Sequence, residues 1–309
     1  MRRAPVLAAP AFAVLVLAAL LLPGLSGGAH AARCADAVPQ ARPQNTFPQD
    51  VGRSFERIED EGWIEFALYE DFPPWSWSDR GRPVGVDVEI ARVIAAELGL
   101  DPRIRLVAAG ETLEADLLNY VWKGAIVGGH VSDVMLHVPY DSALVCRIEQ
   151  ATFTGQYATE AVAIAYRLAD YPEKGPTPPV FRFDPVAVEN DAIADFYLTS
   201  LIGPVEQIRR YPDAMAAMDA LASGETMAAM APRAELEEGL RRHPDAGLAV
   251  HEPPLVGFSR GSWTLGAAIG FQHKDLAYAV DMAIEAALAD GRIPAIFGNH
   301  GLTFVPPAR

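Results

Sequence analysis

A chain of 309 residues with 25 basic and 40 acidic side chains carries a formal charge of −15. A surface of that sign repels polyphosphates and anionic lipid, which excludes nucleic acid and acidic membranes as principal partners. Two cysteines, Cys34 and Cys146, are too few for a disulfide scaffold, and the length allows one large domain or two lobes, each with a real core.

The first segment has the layout of a secretory signal peptide. Met1-Arg2-Arg3 is basic, the stretch from about Val6 to Leu22 is apolar, and Ala29-His30-Ala31 offers a small-residue cleavage site. Pro10 and Pro23 shorten any helix there, which argues against an uncleaved membrane anchor. Residues 1–31 hold Arg2 and Arg3 but no acid, so their removal takes the charge from −15 to −17. Arg33 stands where a lipoprotein signal wants a small residue before Cys34, so a soluble exported protein is expected. Residues 32–60 carry Pro39, Pro43 and Pro48 among polar residues with no apolar period and read as an extended arm.

From Trp63 the pattern changes. Ile64 to Tyr69 alternates like a strand, Phe72-Pro73-Pro74-Trp75 breaks it, and a helix follows with Val88, Ile90, Ala91, Ile94, Ala95 and Leu98 on its apolar positions until Gly99. Ile104 to Val107 is a second strand, which completes a strand, helix, strand unit and predicts a parallel sheet. A helical stretch after Thr112 runs through Leu113, Leu117, Leu118 and Val121, and a strand follows at 133–136. Residues 161–166 are apolar and 170–185 is a proline-rich loop. A second unit places a strand at 186–188, helices at 191–201 and 213–222, and a short strand at 227–230. A strand at 264–271 and a helix at 276–288 close the chain, with no internal repeat.

Arg147 lies six residues before Phe153-Thr154 and ten before Tyr157. This spacing resembles the signature of family 3 periplasmic solute-binding proteins, in which the arginine grips a ligand carboxylate. A guanidinium suits that task because its planar fork gives two parallel charge-assisted hydrogen bonds. The stretch from Tyr69 to Gly99, with Val84-Gly85-Val86-Asp87-Val88-Glu89, resembles the opening block of the same family. Met218 to Glu225, Leu265 to Ile269 and Leu288 to Gly291 resemble its later blocks, in family order over roughly residues 61–300.

The resemblance implies a two-lobed α/β fold of the type II periplasmic binding-protein kind, each lobe a mostly parallel sheet flanked by helices and joined by crossing strands. One lobe is expected from 61–165 plus 263–309 and the other from 166–262. The expected function is capture of a small carboxylate-bearing solute by a monomer that delivers it to an ABC-type membrane permease, with no cofactor and no catalytic role. Arg147 is the implied anchor, Phe72 or Trp75 the stacking aromatic, Asp133 a support for the crossing strand, and His137 a group at the cleft edge. Trp75 and Trp77 share a face of an extended segment and could line the cleft together or pack together.

Three departures qualify the ligand. Asp133 to Arg147 spans two residues more than is usual in the family, and His137 to Asp141 replaces its hydroxyl-rich turn. Asp191-Ala192 replaces the Gly-Thr that opens a lobe-two helix, so Glu189 and Asp191 sit where an anion would otherwise be welcome. The aspartate that meets a ligand ammonium falls near Pro232, beside Arg233. Val138-Pro139 after Asp133-Val134, with Cys34-Ala35-Asp36 upstream, also resembles the binding-protein homologues associated with quinoprotein methanol dehydrogenases. That likeness implies the alternative role of a periplasmic accessory protein to such an enzyme.

Cys34 and Cys146 can pair in an oxidising compartment; the other reading is a buried thiol beside Arg147 and a free one near the amino end. Gly257-Phe258-Ser259-Arg260-Gly261 matches a nucleophile elbow as a string, but a strand rather than a helix follows it. His130, Asp133 and His137 do not share one strand face, so a metal site is not expected there, and the acids Asp87 and Glu89 read as helix-start caps.

Overall fold

The structure, a computed structural model, describes residues 51–126, 129–140, 142–258 and 261–308. The signal-peptide segment 1–31, Cys34 with its pairing, Asp141, Ser259 and Arg260 lie outside the described residues.

The end of the 32–60 arm corrects the extended reading. Ser54 accepts the Arg57 N–H and starts helix α1 (Phe55–Glu61), which Gly62 closes in the left-handed conformation. Only Ile58 of this helix is fully buried, so a single anchor replaces the apolar period that would have signalled it. Arg53, just ahead, donates from Nε to Asp133 at 3.1 Å and from Nη1 to Glu61 at 2.8 Å, and its Nη2 also bonds Asp133. Its guanidinium lies 3.4 Å from the Trp63 ring centroid, with Arg103 on that ring at 3.5 Å. This cation–π stack and the paired carboxylate tie the segment to the first strand.

That strand, β1 (Trp63–Tyr69), leads through Phe72 to Trp75 into a two-stranded hairpin, β2 (Trp77–Asp79) and β3 (Arg82–Val84). Helix α2 (Val86–Glu97) follows and buries Val86, Val88, Ile90, Ala91, Ile94 and Ala95, the apolar positions read from the sequence. Next come β4 (Asp101–Val107) and α3 (Leu113–Leu117), the latter capped by Thr112 and continued by a wider turn to Trp122. Then β5 (Val134–Tyr140), α4 (Ser142–Arg147) and the 17-residue β6 (Ala151–Arg167) complete the first half.

The second half runs β7 (Val186–Glu189), α5 (Ile193–Ile202), β8 (Ile208–Tyr211), α6 (Ala214–Ser223), β9 (Ala228–Pro232), α7 (Arg233–Arg242) and β10 (Leu248–His251). The chain returns as β11 (Ser262–Gly270), α8 (Lys274–Ala289) and α9 (Arg292–Asn299). Because β11 is a strand, no helix follows the Gly257 to Gly261 string, as a nucleophile elbow would need.

The strands lie in the order β4-β1-β5-β11-β6-β9-β7-β8, with β10 also on β6. The β1 strand is parallel to β4 and β5, and β7 is parallel to β8 and β9, while β11 and β6 are antiparallel to their neighbours. The result is a two-lobed α/β fold with mixed sheets flanked by helices. Residues 151–161 of β6 pair with β11, and residues 162–166 pair with β9. One strand therefore belongs to both lobes.

Each lobe is covered on both faces. In the first, Phe66, Ile90, Ile94, Val280, Ile284 and Phe297 pack on one side and Leu117, Val121, Met135 and Ala268 on the other. In the second, Val188, Leu198, Phe181 and Met230 fill one side and Ala187, Met218, Leu221 and Leu236 the other. Among the described residues no helix is long and apolar enough to cross a membrane.

Replacing Arg53 by alanine leaves the Asp133 carboxylate, with 4% of its side chain exposed, without its cation. Breaking a buried pair from one side costs about 3 kcal/mol. We expect a loss of that size in chemical denaturation for Arg53→Ala, and little change for the exposed Arg57→Ala, whose ion pair is screened by solvent.

Candidate functional site

Open α/β sheets bind ligands outside the carboxyl ends of their strands. The registers of this sheet show where those ends meet. Through β11, Tyr140 at the end of β5 lies level with Thr159 on β6, and Pro232 at the end of β9 pairs with Val162. The parallel strands of both lobes therefore point their carboxyl ends at residues 159–162 of β6. That stretch marks the floor of the crevice between the lobes.

On the first lobe a buried polar cluster forms behind this floor. Asp87 is fully enclosed; its Oδ1 accepts the Tyr157 hydroxyl at 2.7 Å and its Oδ2 lies 2.9 Å from His137 Nδ1. The Tyr157 hydroxyl in turn accepts the His137 backbone N–H at 3.1 Å. Burial, followed by the Asp87 charge, pushes the Tyr157 phenol well above its ordinary value, so it stays a donor. Sequence reading made Asp87 a helix-start cap, and this is corrected: its carboxyl turns inward to the histidine and tyrosine. Glu89, read the same way, pairs with His300 Nε2 at 2.9 Å.

His137 holds this position because β5 bulges. Met135 pairs with Ala268 and Val138 with Gly266, so β5 spends one more residue than β11, and His137 takes φ 61°. The imidazole meets Phe72 at 4.9 Å and Trp75 at 4.6 Å between ring centroids, both edge-on.

Trp75, read as a stacking wall, is 1% exposed and also packs on Phe297 at 5.8 Å. The correction has a steric origin. The Val86 and Asp87 N–H groups donate to the Pro74 and Trp75 carbonyls, and the backbone at Gly85, with φ 123°, presses so close that a Cβ would strike the Trp75 carbonyl. This turn draws Trp75 into the core. Phe72 stays half-buried, edge-on to Tyr69 at 6.2 Å.

Arg147 ends α4 and donates from Nη2 to Glu114 Oε1, in the first turn of α3, at 3.0 Å; half of its side chain is exposed. Asp133 lies at the opposite end of β5 from the crevice. It accepts the Glu65 N–H at 2.7 Å and holds Arg53, so it braces β1 and the amino-terminal segment rather than a crossing strand. His130, Asp133 and His137 are partnered separately, by Glu65, Arg53 and Asp87. No group of three or more metal-binding side chains is placed to hold an ion among the described residues. Asp191 takes φ 59° in the exposed turn before α5, where its N–H donates to Asp195 Oδ2 at 3.3 Å.

On the second lobe the crevice is acidic. Glu160 sits on β6 at the floor and accepts the N–H groups of Arg233 and Ala234 at 3.2 Å each, which caps α7. Burial raises its pKa against those bonds and the Arg233 charge. Glu189 ends β7, Asp213 caps α6 after β8, and Glu235 lies in the first turn of α7 after β9. Glu235 is 3% exposed. Burial, then the charges of Glu189, Glu160 and Asp213, push it well above the carboxylate range. Sequence reading missed Glu160 and Glu235; their signal was position, one on the crossing strand and one just beyond the Pro232 that stands where an ammonium-binding aspartate was expected.

No family model matches the chain, and no curated protein does. Solved structures do. An ancestral cationic amino acid solute-binding protein is 17% identical with a TM-score of 0.65, over 80% of this chain and 98% of that one. The arginine-, lysine-, histidine-binding protein ArtJ from Geobacillus stearothermophilus is 18% identical with a TM-score of 0.55, over 77% and 94%. A histidine kinase sensor domain with similarity to periplasmic binding proteins is 21% identical with a TM-score of 0.56, over 79% and 98%. At these identities the likeness fixes the architecture: the chain has the type II periplasmic binding-protein fold.

Two outcomes follow from the buried groups. Tyr157→Phe strips Asp87 of a donor and His137 of an acceptor, and about 1–3 kcal/mol of stability is expected to go with them in urea denaturation. Glu235, with its folded pKa above the unfolded one, holds a proton in the folded state that the unfolded chain releases as pH rises above the ordinary glutamate range. The wild type therefore loses stability from this group as pH climbs toward the folded pKa. Glu235→Gln is expected to melt at or above the wild type, by a margin that grows as pH rises above the ordinary glutamate range; a constant margin would contradict the assignment.

Proposed function

We propose that this is an exported solute-binding protein whose lobes close on a small carboxylate-bearing solute and present it to an ABC-type permease in the periplasm. The lobes of this reading are 61–165 with 263–309, and 166–262. The observation that carries it is the convergence of parallel-strand carboxyl ends from both lobes on residues 159–162 of β6. That arrangement puts the crevice over a strand able to act as a hinge.

Arg147 supplies the anion-binding group in this reading. Its present partner, Glu114, is 37% exposed, and an exposed ion pair contributes about 0–1 kcal/mol. A solute carboxylate can therefore take Glu114's place at little cost and gain the full fork of the guanidinium. Phe72, half-buried at the end of the first loop, offers the remaining aromatic surface.

A thermal-shift screen of the purified mature protein against organic acids, amino acids and amines tests the reading. A solute at about a hundred times its dissociation constant adds about 2.7 kcal/mol and raises the melting temperature. For an acidic solute found this way, Arg147→Ala is expected to cost about 2–5 kcal/mol of affinity, while Glu114→Gln leaves it unchanged or tighter. An affinity that Arg147→Ala does not alter removes Arg147 from the site. A screen without a hit removes the receptor role.

A further inference from the structure

Past α9 the chain leaves the flank of the first lobe and reaches the second. His300, at the end of α9, holds Glu89 of α2 through Nε2 at 2.9 Å, and Gly301, with φ 72°, turns the chain away from the helix. The Leu302 N–H donates to the Phe297 carbonyl at 2.9 Å and its side chain is buried in the core of the first lobe, while Phe304 lies edge-on to Phe297 at 5.3 Å. Thr303 between them is exposed. Two core anchors in alternate positions thus hold a segment whose intervening groups face outward.

Those groups meet the hinge. The Thr303 N–H donates to Glu237 Oε2, in α7 of the second lobe, at 2.8 Å, and the aliphatic part of Arg241, one turn on, lies beside Gly301. The Val305 and Pro306 carbonyls accept the N–H and the hydroxyl of Thr159 at 2.8 and 2.7 Å. Thr159 belongs to the part of β6 that pairs with β11, and its own carbonyl accepts Arg233 Nη2 of α7 at 3.1 Å. Ala234 of α7 packs in the same core cluster as Leu302. Residues 301–306 therefore lie across the join between the lobes, with contacts on both sides of the place where β6 changes partner.

These contacts differ in their distance from that place. Helix α7 begins at Arg233, directly after the Pro232 that pairs with Val162, and Glu160 of β6 holds the N–H groups of Arg233 and Ala234. Glu237 stands about 6 Å further along the helix axis. A rotation of the second lobe about residues 161–162 leaves contacts at the axis nearly unchanged and displaces those away from it. We propose that residues 301–306 are a strap that latches α7 to the first lobe and holds the separation of the lobes, with the Thr303 to Glu237 bond as the contact that a change of separation breaks. The carboxylate makes that bond charge-assisted. Because it lies at the exposed surface, water replaces it on release, and the strap stays attached through Leu302 and Phe304. The strap acts on the lobes whatever solute enters the crevice.

Small-angle X-ray scattering of the full chain without added solute tests the strap, on the wild type, Glu237→Ala, Glu237→Gln and the double variant Glu237→Ala with Thr159→Val, each shown to be folded by its thermal melt. Glu237→Ala removes the acceptor of the Thr303 N–H, Glu237→Gln keeps one, and Thr159→Val removes the hydroxyl that holds Pro306. The expected result is a shift in the radius of gyration for Glu237→Ala, a larger shift for the double variant, and a value near the wild type for Glu237→Gln. Curves of Glu237→Ala and the double variant that superimpose on the wild type overturn the strap and reduce the segment to local packing. Equal shifts in Glu237→Ala and Glu237→Gln overturn the assignment of this bond as the latch. If Thr159→Val unfolds the chain, the two single variants decide. None of these outcomes bears on the solute screen, which decides the receptor reading separately.

Discussion

The seventeen residues of β6 hold both lobes, and the place where they change hydrogen-bond partner determines the rest of the molecule. Up to Ala161 the strand pairs with β11 and is part of the first lobe; from Val162 it pairs with β9 and is part of the second. A strand shared in this way fixes the registers of both halves relative to one origin. It also requires that the parallel strands on either side aim their carboxyl ends at the same few residues. The crevice is thus a consequence of pairing, not of any side chain placed to make it.

That constraint explains why charge gathers there. Strand ends and helix starts leave unpaired N–H groups, and carboxylates satisfy them. Glu160 caps α7 and Asp213 caps α6. On the first lobe the same edge is served differently. Asp87 enters the interior, where a histidine and a tyrosine saturate it, and the Glu160 carboxyl lies within electrostatic reach of that histidine. The lobes therefore meet with a hydrogen-bonded polar cluster behind one wall and helix-capping acids on the other.

The architecture was legible because it is written in periodicity. The apolar face of α2, the Asp213 and Gly224 signals that bound α6, and the alternation of β1 each depend on near neighbours, so the chain states them locally. The elements that were missed lack that local statement. Helix α1 carries one buried residue, α7 is mostly charged, and β10 is four half-buried residues whose strand character comes from β6 beside it. In β6 itself only residues 161–166 read as apolar; the polar first half is a strand because β11 pairs with it.

Site residues were less legible for a related reason. Residue type announces chemistry, but burial decides which chemistry survives, and burial is set by long-range packing. Trp75 has the right type for a stacking wall, yet the close approach of Gly85 to its carbonyl and the bulge at His137 turn it inward. Glu235 is one acid among 40 acidic residues in composition. Only the folded chain shows that it is enclosed. Asp87 makes the same point: its type and its place in the first turn of α2 announce a cap, and only long-range packing turns its carboxyl inward to His137 and Tyr157.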